Sequence, residues 1–161
     1  LRALPGVEYV SGDLRATEGL RLDVQALPFR ERCFDLIYCS HVLNMVDDDV
    51  QALSEIGRVL ATGGTAVVQI PLATDPETVS ASKDWNQALR QSVFGDPNMA
   101  HRHGRDVLRR FAQTGLRIQR IDQAGEFGRT DFERLGLLNE DLLICRRENG
   151  PHPAGPSPDG N

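Results

Sequence analysis

Residues 34–39 read Phe-Asp-Leu-Ile-Tyr-Cys, an apolar run interrupted only by Asp35. A strand with one wet face carries a polar residue at every second position. A run without that alternation is buried on both faces, the condition of a strand in a parallel sheet covered by helices. The chain turns helical from Asp47, with Val50, Leu53, Ile56, Val59 and Leu60 on one stripe. Asp47, Asp48 and Asp49 fall in the first turn, where the helix dipole favours negative charge, a simpler reading than a metal site. Gly63-Gly64 is expected to end the helix, and "TAVVQIP" to form the next buried strand, closed by Pro71.

Upstream, "VEYVSGD" (7–13) alternates and is rich in strand formers, and "LRLDV" (20–24) reads as a second, shorter strand. "LRAL" before Pro5-Gly6 resembles the last turn of a helix. Downstream, helices are expected at "WNQALRQSVF" and at "RDVLRRFAQTG", the latter capped by Gly115. "LRIQRID" and "DLLICRRE" read as strands, with an antiparallel course open to the last. The alternation of strand and helix implies an α/β fold: a Rossmann-like, mostly parallel sheet with helices on both faces.

At 161 residues, 40% of them hydrophobic, the chain can bury one sizeable core. A formal charge of -5 argues against nucleic acid as a partner, which would call for a basic face. Lys83 is the sole lysine, a bias expected of a GC-rich bacterial genome. Cys33, Cys39 and Cys145 form no CxxC pair, so reduced thiols and a cytoplasmic location are expected. No apolar run approaches the roughly 20 residues that span a bilayer, so no membrane partner is expected. The domain is expected over 1–147, with 73–104 as a lid insertion and the Pro/Gly-rich 148–161 disordered.

From Asp23 to Pro71 several elements appear in a fixed order. They are an acid, then "LPF", "FD" and a strand, then "HVLNMV", a helix ending in "RVL", a glycine pair, and another strand. In this order the sequence resembles the class I S-adenosylmethionine-dependent methyltransferases of the type 11 kind. The resemblance implies S-adenosylmethionine as cofactor, no metal, and a small-molecule acceptor methylated on O, N or C. It also implies roles. Asp13, with Leu14 beside it, would meet the ribose hydroxyls; a turn cap is the plain alternative. Asp23 would accept from the adenine amine, a donor only, with the Val24 amide on a ring nitrogen; the alternative is a solvated loop aspartate. Backbone groups at Cys39 and Ser40, where a parallel strand ends, would face the cofactor's amino group. His41 would lie near the transferring methyl as a base, or else cap and pack the following helix. Trp85, Phe94, His101, Arg102, His103 and Arg105 would line the lid, with "HRHG" read as surface loop rather than as a metal pair.

The chain departs from the family's wording in three ways. The glycine-rich loop after the family's first strand is absent from these residues. "HVLEHV" reads "HVLNMV", placing Asn44 and Met45 where a glutamate and a histidine stand. That change opens a second reading, a methyltransferase-like domain that binds without catalysing. Finally, the stretch between Asp13 and Asp23 is too short for a crossover helix, so a very short strand or a tight loop is expected. With the family's central strand missing, residues 1–161 alone are expected to be a fragment that binds cofactor weakly or associates.

Overall fold

The computed structural model describes residues 5–17, 19–122, 125–126, 130–131, 133–134 and 140–147. The expectations for "LRAL", for the loop around "FERLGL" and for the tail fall wholly or mostly outside these residues. In chain order the elements are β1 (Gly12–Asp13), β2 (Leu20–Arg21), β3 (Phe34–Ser40), α1 (Asp49–Val59), β4 (Leu60–Ile70) and β5 (Val79–Ser80). There follow α2 (Gln87–Phe94), β6 (His101–Arg102), α3 (Val107–Phe111), β7 (Arg117–Asp122) and β8 (Asp141–Arg146).

The main sheet has the order β3-β4-β8-β7. β3 and β4 pair in parallel, with Tyr38 opposite Val67 and Ser40 opposite Gln69. β8 is antiparallel to both β4 and β7, so β7 runs the same way as β3 and β4. The fold is the α/β, Rossmann-like one that the alternation implies. The antiparallel course of β8 brings its first residues to the rim where β3 and β4 end.

One face of the sheet is sealed by α1 and α3. Leu53 and Ile56 from α1 and Val107 and Phe111 from α3 meet Val68, Ile70 and Leu143 in a core that excludes water. Each large apolar side chain buried in this way contributes roughly 1.5–3 kcal/mol. On β3 the side chains alternate, with Ile37 and Cys39 turned to this core and Leu36 and Tyr38 left 59% and 63% exposed.

Local signals explain most element ends. Asp48 caps α1, its Oδ1 accepting from the Gln51 amide at 2.9 Å. Asn86 does the same for α2, and Gly95 ends it at φ +83°. The helix expected over "RDVLRRFAQTG" is shorter, with Val107–Phe111 tightening into a 3-10 turn before Gly115.

Two expectations about element boundaries are corrected. Gly63-Gly64 does not end α1. The amides of Arg32 and Cys33 take the carbonyls of Arg58 and Val59 at 3.1 and 2.8 Å, and the chain enters β4 at Leu60. The glycines then sit inside β4, where the register jumps from Phe34↔Leu60 to Leu36↔Thr65. Likewise "VEYVSGD" and "LRLDV" are strands only at Gly12–Asp13 and Leu20–Arg21, which pair in parallel; Val7, Tyr9 and Val10 are exposed. Two rungs need so little length that a short link, opening with a turn at residues 14–15, replaces a crossover helix. Gly12 permits the close approach, since a Cβ there would strike the Leu22 side chain and the Leu20 carbonyl.

The deepest charge is Asp49, fully buried at the first position of α1. Arg110 grips both its oxygens, Nε to Oδ2 at 2.8 Å and Nη2 to Oδ1 at 2.7 Å. His103 Nε2 meets Oδ2 at 2.8 Å, and His101 Nε2 lies 3.9 Å from Oδ1. The reading of "HRHG" as surface loop is therefore corrected: both histidines are buried, because strand spacing turns them to one side, onto a carboxylate. Burial alone would raise the Asp49 carboxyl, but hydrogen bonds from His103 and Arg110 outweigh it and hold the group well below its usual range. Burial lowers His101 below its ordinary 6.5.

A second bracket holds the "LPF" loop. Arg58 donates through Nη1 to the Phe29 carbonyl at 2.8 Å and through Nη2 to the Leu27 carbonyl at 2.9 Å. Glu55 accepts from the Leu27 amide at 2.9 Å and from Arg58 Nε at 2.7 Å.

Removing one partner of a buried ion pair costs about 3–5 kcal/mol, whereas losing an N-cap costs about 1. Asp49→Asn should therefore lower urea-unfolding stability several times more than Asp48→Ala. Acid should act in two stages. The unfolded chain protonates His101 before the folded one does, so stability falls as pH drops below 6.5. A second loss follows below 3.8 as the unfolded chain protonates Asp49 first. Urea midpoints measured across pH check both stages. Arg58→Gln should speed hydrogen exchange at the Leu27 amide at least tenfold while leaving β4 protected, as mass-resolved exchange would report.

Candidate functional site

The carboxyl ends of β3 and β4 define one rim of the sheet, and ligands of open α/β folds bind beyond such ends. β3 ends at Ser40, and the backbone then turns sharply at His41, whose φ of +56° is a left-handed conformation rare for a side-chain-bearing residue. Its amide donates to the Gln69 carbonyl at 2.9 Å, which fixes the turn to the last rungs of β4. The imidazole is 42% exposed, and its Nε2 stands 3.0 Å from Glu140 Oε2.

Gln69 ties this corner together. Its Oε1 accepts from the Tyr38 hydroxyl at 2.9 Å and from Ser40 Oγ at 3.2 Å, while its Nε2 donates to Glu140 Oε2 at 2.9 Å. The Glu140 carboxylate fixes the amide's orientation, because only the amide nitrogen can donate to it, and the two hydroxyls then donate to the amide oxygen. Cys39 takes no part through sulfur. Its thiol is buried, and burial pushes it up to about 12, so only its backbone reaches the rim.

The two acids lie in adjoining turns. The Asp13 carbonyl accepts from the Leu22 amide at 3.1 Å, which places β1 against the residue preceding Asp23. Each carboxylate uses Oδ1 for its own turn: Asp13 accepts from the Arg15 amide at 2.6 Å, and Asp23 from the Gln25 amide at 2.9 Å. The turn-cap reading of Asp13 thus describes its Oδ1 atom, and Asp23, whose alternative was a solvated loop aspartate, caps a turn of its own through Oδ1 as well. Neither Oδ2 has a hydrogen-bond partner among the described residues. Leu14 beside them is half exposed. Gln25 joins this loop to α1, its Oε1 accepting from the Asp48 amide at 2.9 Å.

The segment 73–104 folds back on itself and against the residues between His41 and α1. β5 and β6 pair antiparallel, Ala73 donates to the His103 carbonyl at 2.8 Å, and Ala100 donates to the Asn44 carbonyl at 2.8 Å. Asn44 is buried and anchors this segment through its backbone carbonyl, which also accepts from the His101 amide at 3.1 Å. Phe94 stacks on Trp85 with ring centroids 5.7 Å apart. Phe94, Met99 and His101 line an apolar cavity of about 210 Å³ against Pro71 and Leu72. Arg105 lines a second, polar cavity of about 260 Å³ with Arg120, Asp122 and Asp141. His103 lines neither, being committed to Asp49.

Of the residues expected from sequence, Ser40 and His41 share one corner, Asp13 and Asp23 another, and Phe94 and His101 the apolar cavity. Glu140, Gln69 and Tyr38 were missed. The signal for Glu140 was available: an antiparallel "DLLICR" strand must start at the rim where its parallel neighbours end.

Residues 6–68 match the family described as "Methyltransferase domain". Over 57 residues the chain is 42% identical to the ubiquinone/menaquinone biosynthesis C-methyltransferase UbiE of Xylella fastidiosa (strain M12). That match takes in 35% of this chain but spans only 22% of the relative's length. Among solved structures, an S-adenosylmethionine-dependent methyltransferase from Mesorhizobium loti superposes at a TM-score of 0.52 with 18% identity. The superposition covers 82% of this chain and 71% of that one. Phosphoethanolamine N-methyltransferase 2 of Haemonchus contortus, bound to S-adenosyl-L-methionine, superposes at 0.50 with 12% identity, over 79% and 36% of the two chains. Over residues 6–68 the chain is thus similar in sequence to the methyltransferase domain family, and over about four fifths of its length it shares the fold of a solved S-adenosylmethionine-dependent methyltransferase.

Proposed function

We propose that the protein transfers a methyl group from S-adenosylmethionine to an O, N or C nucleophile of a small-molecule acceptor in the cytoplasm. The observation that carries this reading is the match over residues 6–68, which spans both acids, the "LPF" loop, α1 and most of β4. The residues fit the cofactor's chemistry. Adenine amine and ribose hydroxyls need acceptors, and the Oδ2 atoms of Asp13 and Asp23 are available for them. Leu14 offers an apolar surface to the base, and the Val24 amide a donor. The backbone at Cys39 and Ser40 borders the methionine end. The net charge of -5 argues against a nucleic-acid acceptor, which would call for a basic face.

The bound cofactor supplies an electrophilic methyl on a sulfonium. The protein's share is placement, and holding reactants at near-attack distance can supply roughly 7–11 kcal/mol. The 73–104 segment acts as a lid that shields the acceptor, with Trp85, Phe94, His101 and Arg105 toward it. His41 takes the acceptor's proton, a role worth about 10²–10⁴-fold in rate. The UbiE relatives are named for methylation at carbon, which supports carbon among the acceptor atoms.

Calorimetric titration of S-adenosylmethionine into the full gene product tests the reading. Wild type should bind, and Asp23→Ala should weaken binding about 10- to 100-fold, the worth of one hydrogen bond to a charged group. Binding of NADH without binding of S-adenosylmethionine would overturn it. Transfer of labelled methyl to an acceptor separates the enzyme from a binding domain that does not catalyse.

A further inference from the structure

Three histidines lie among the described residues, and their surroundings differ. His103 is spent on Asp49, and His101 is buried with Nδ1 on Ser80 Oγ at 2.8 Å. His41 alone of these combines solvent access with a carboxylate at one ring nitrogen. The partner, Glu140, is shielded from water, with a side chain 15% exposed. It is held by the Gln69 amide, and Gln69 accepts in turn from Tyr38 and Ser40. The left-handed backbone at His41 costs about 1–3 kcal/mol, a strain that persists only where surrounding contacts enforce it. Packing alone does not call for a strained residue whose ring points out of the core.

We propose that Glu140 is the positioning residue for His41. The carboxylate keeps the proton of the neutral ring on Nε2, leaves the lone pair on Nδ1, and stabilises the imidazolium that forms. Gln69 is the brace that keeps Glu140 in place. The acceptor class follows from this arrangement, as a nucleophile that must surrender a proton: a hydroxyl, an N–H or an acidified C–H. As its bond to the methyl carbon forms and the carbon–sulfur bond breaks with its electron pair going to sulfur, the proton passes to Nδ1. An acceptor already lacking a proton, such as a tertiary amine, would need none of this. The acceptor class rests on the methyltransferase reading; the His41–Glu140 pairing rests on geometry alone.

Carbethoxylation by diethyl pyrocarbonate, read at the His41 peptide by mass spectrometry, probes the ring nitrogen without any acceptor. Positive charge grows on the imidazole during this reaction, so a carboxylate behind it speeds the step. Glu140→Gln should slow modification of His41 about three- to tenfold, and Glu140→Asp should restore part of the rate. A Glu140 that merely packed would, when removed, expose the ring and leave the rate unchanged or raised; either result overturns the assignment. Titrating S-adenosylmethionine into the same proteins separates the two claims. Slowed carbethoxylation in a protein that binds no cofactor would uphold the pair and sink the methyltransferase reading. Cofactor binding with Glu140-independent reactivity would do the reverse.

Discussion

A single buried carboxylate joins the parts of this molecule that flank the rim. Asp49 begins α1, His101 and His103 come from the end of the 73–104 segment, and Arg110 comes from α3. An unpaired charge at that depth would be prohibitive, so the three segments cannot separate without exposing or stranding it. The apolar core between sheet and helices supplies the larger gain, but a core of Leu, Ile and Val tolerates many arrangements. The bidentate Arg110 contact tolerates few. Position is therefore set by the ions and cohesion by the core.

A second layer of constraint works above it. The Arg58–Glu55 bracket fixes the loop that carries Asp23 against α1, and Gln25 ties the same loop to Asp48. Gln69 does the equivalent for Ser40, Tyr38 and Glu140. Both are side chains on regular elements reaching to backbone or polar groups of a less regular neighbour. Rigid elements thus hold the rim, and the rim's own loops need little intrinsic order. Arg58 of "RVL" spans the carbonyls of Leu27 and Phe29 and so ties "LPF" to the end of α1.

An apolar run and a helical stripe are local properties of sequence and made the β3–α1–β4 unit legible, but the expected burial of β3 on both faces is corrected: Leu36 and Tyr38 face out, 59% and 63% exposed. Helix ends were legible where a cap is encoded at the site, as at Asp48, Asn86, Gly95 and Gly115. Gly63-Gly64 misled because the amides that receive α1's last carbonyls come from residues 32–33, remote in sequence. The stretch "VEYVSGD" has strand composition, yet only its last two residues find a partner, and pairing is not a local property. The candidate site divides the same way. Ser40 and His41 follow from where a strand ends, whereas Glu140 reaches His41 only through the antiparallel turn of β8. The histidines of "HRHG" read as surface because their carboxylate lies far away in sequence, at Asp49.

The central claim is that the turns at Asp13 and Asp23 and the end of β3 form one binding surface for a nucleoside joined to a methionine. Amide chemical-shift mapping of the full gene product with S-adenosylhomocysteine tests it most directly. The amides of Leu14, Val24, Ser40 and His41 should move together along one saturation curve. Saturation that leaves those amides unmoved, while others shift, would contradict the account.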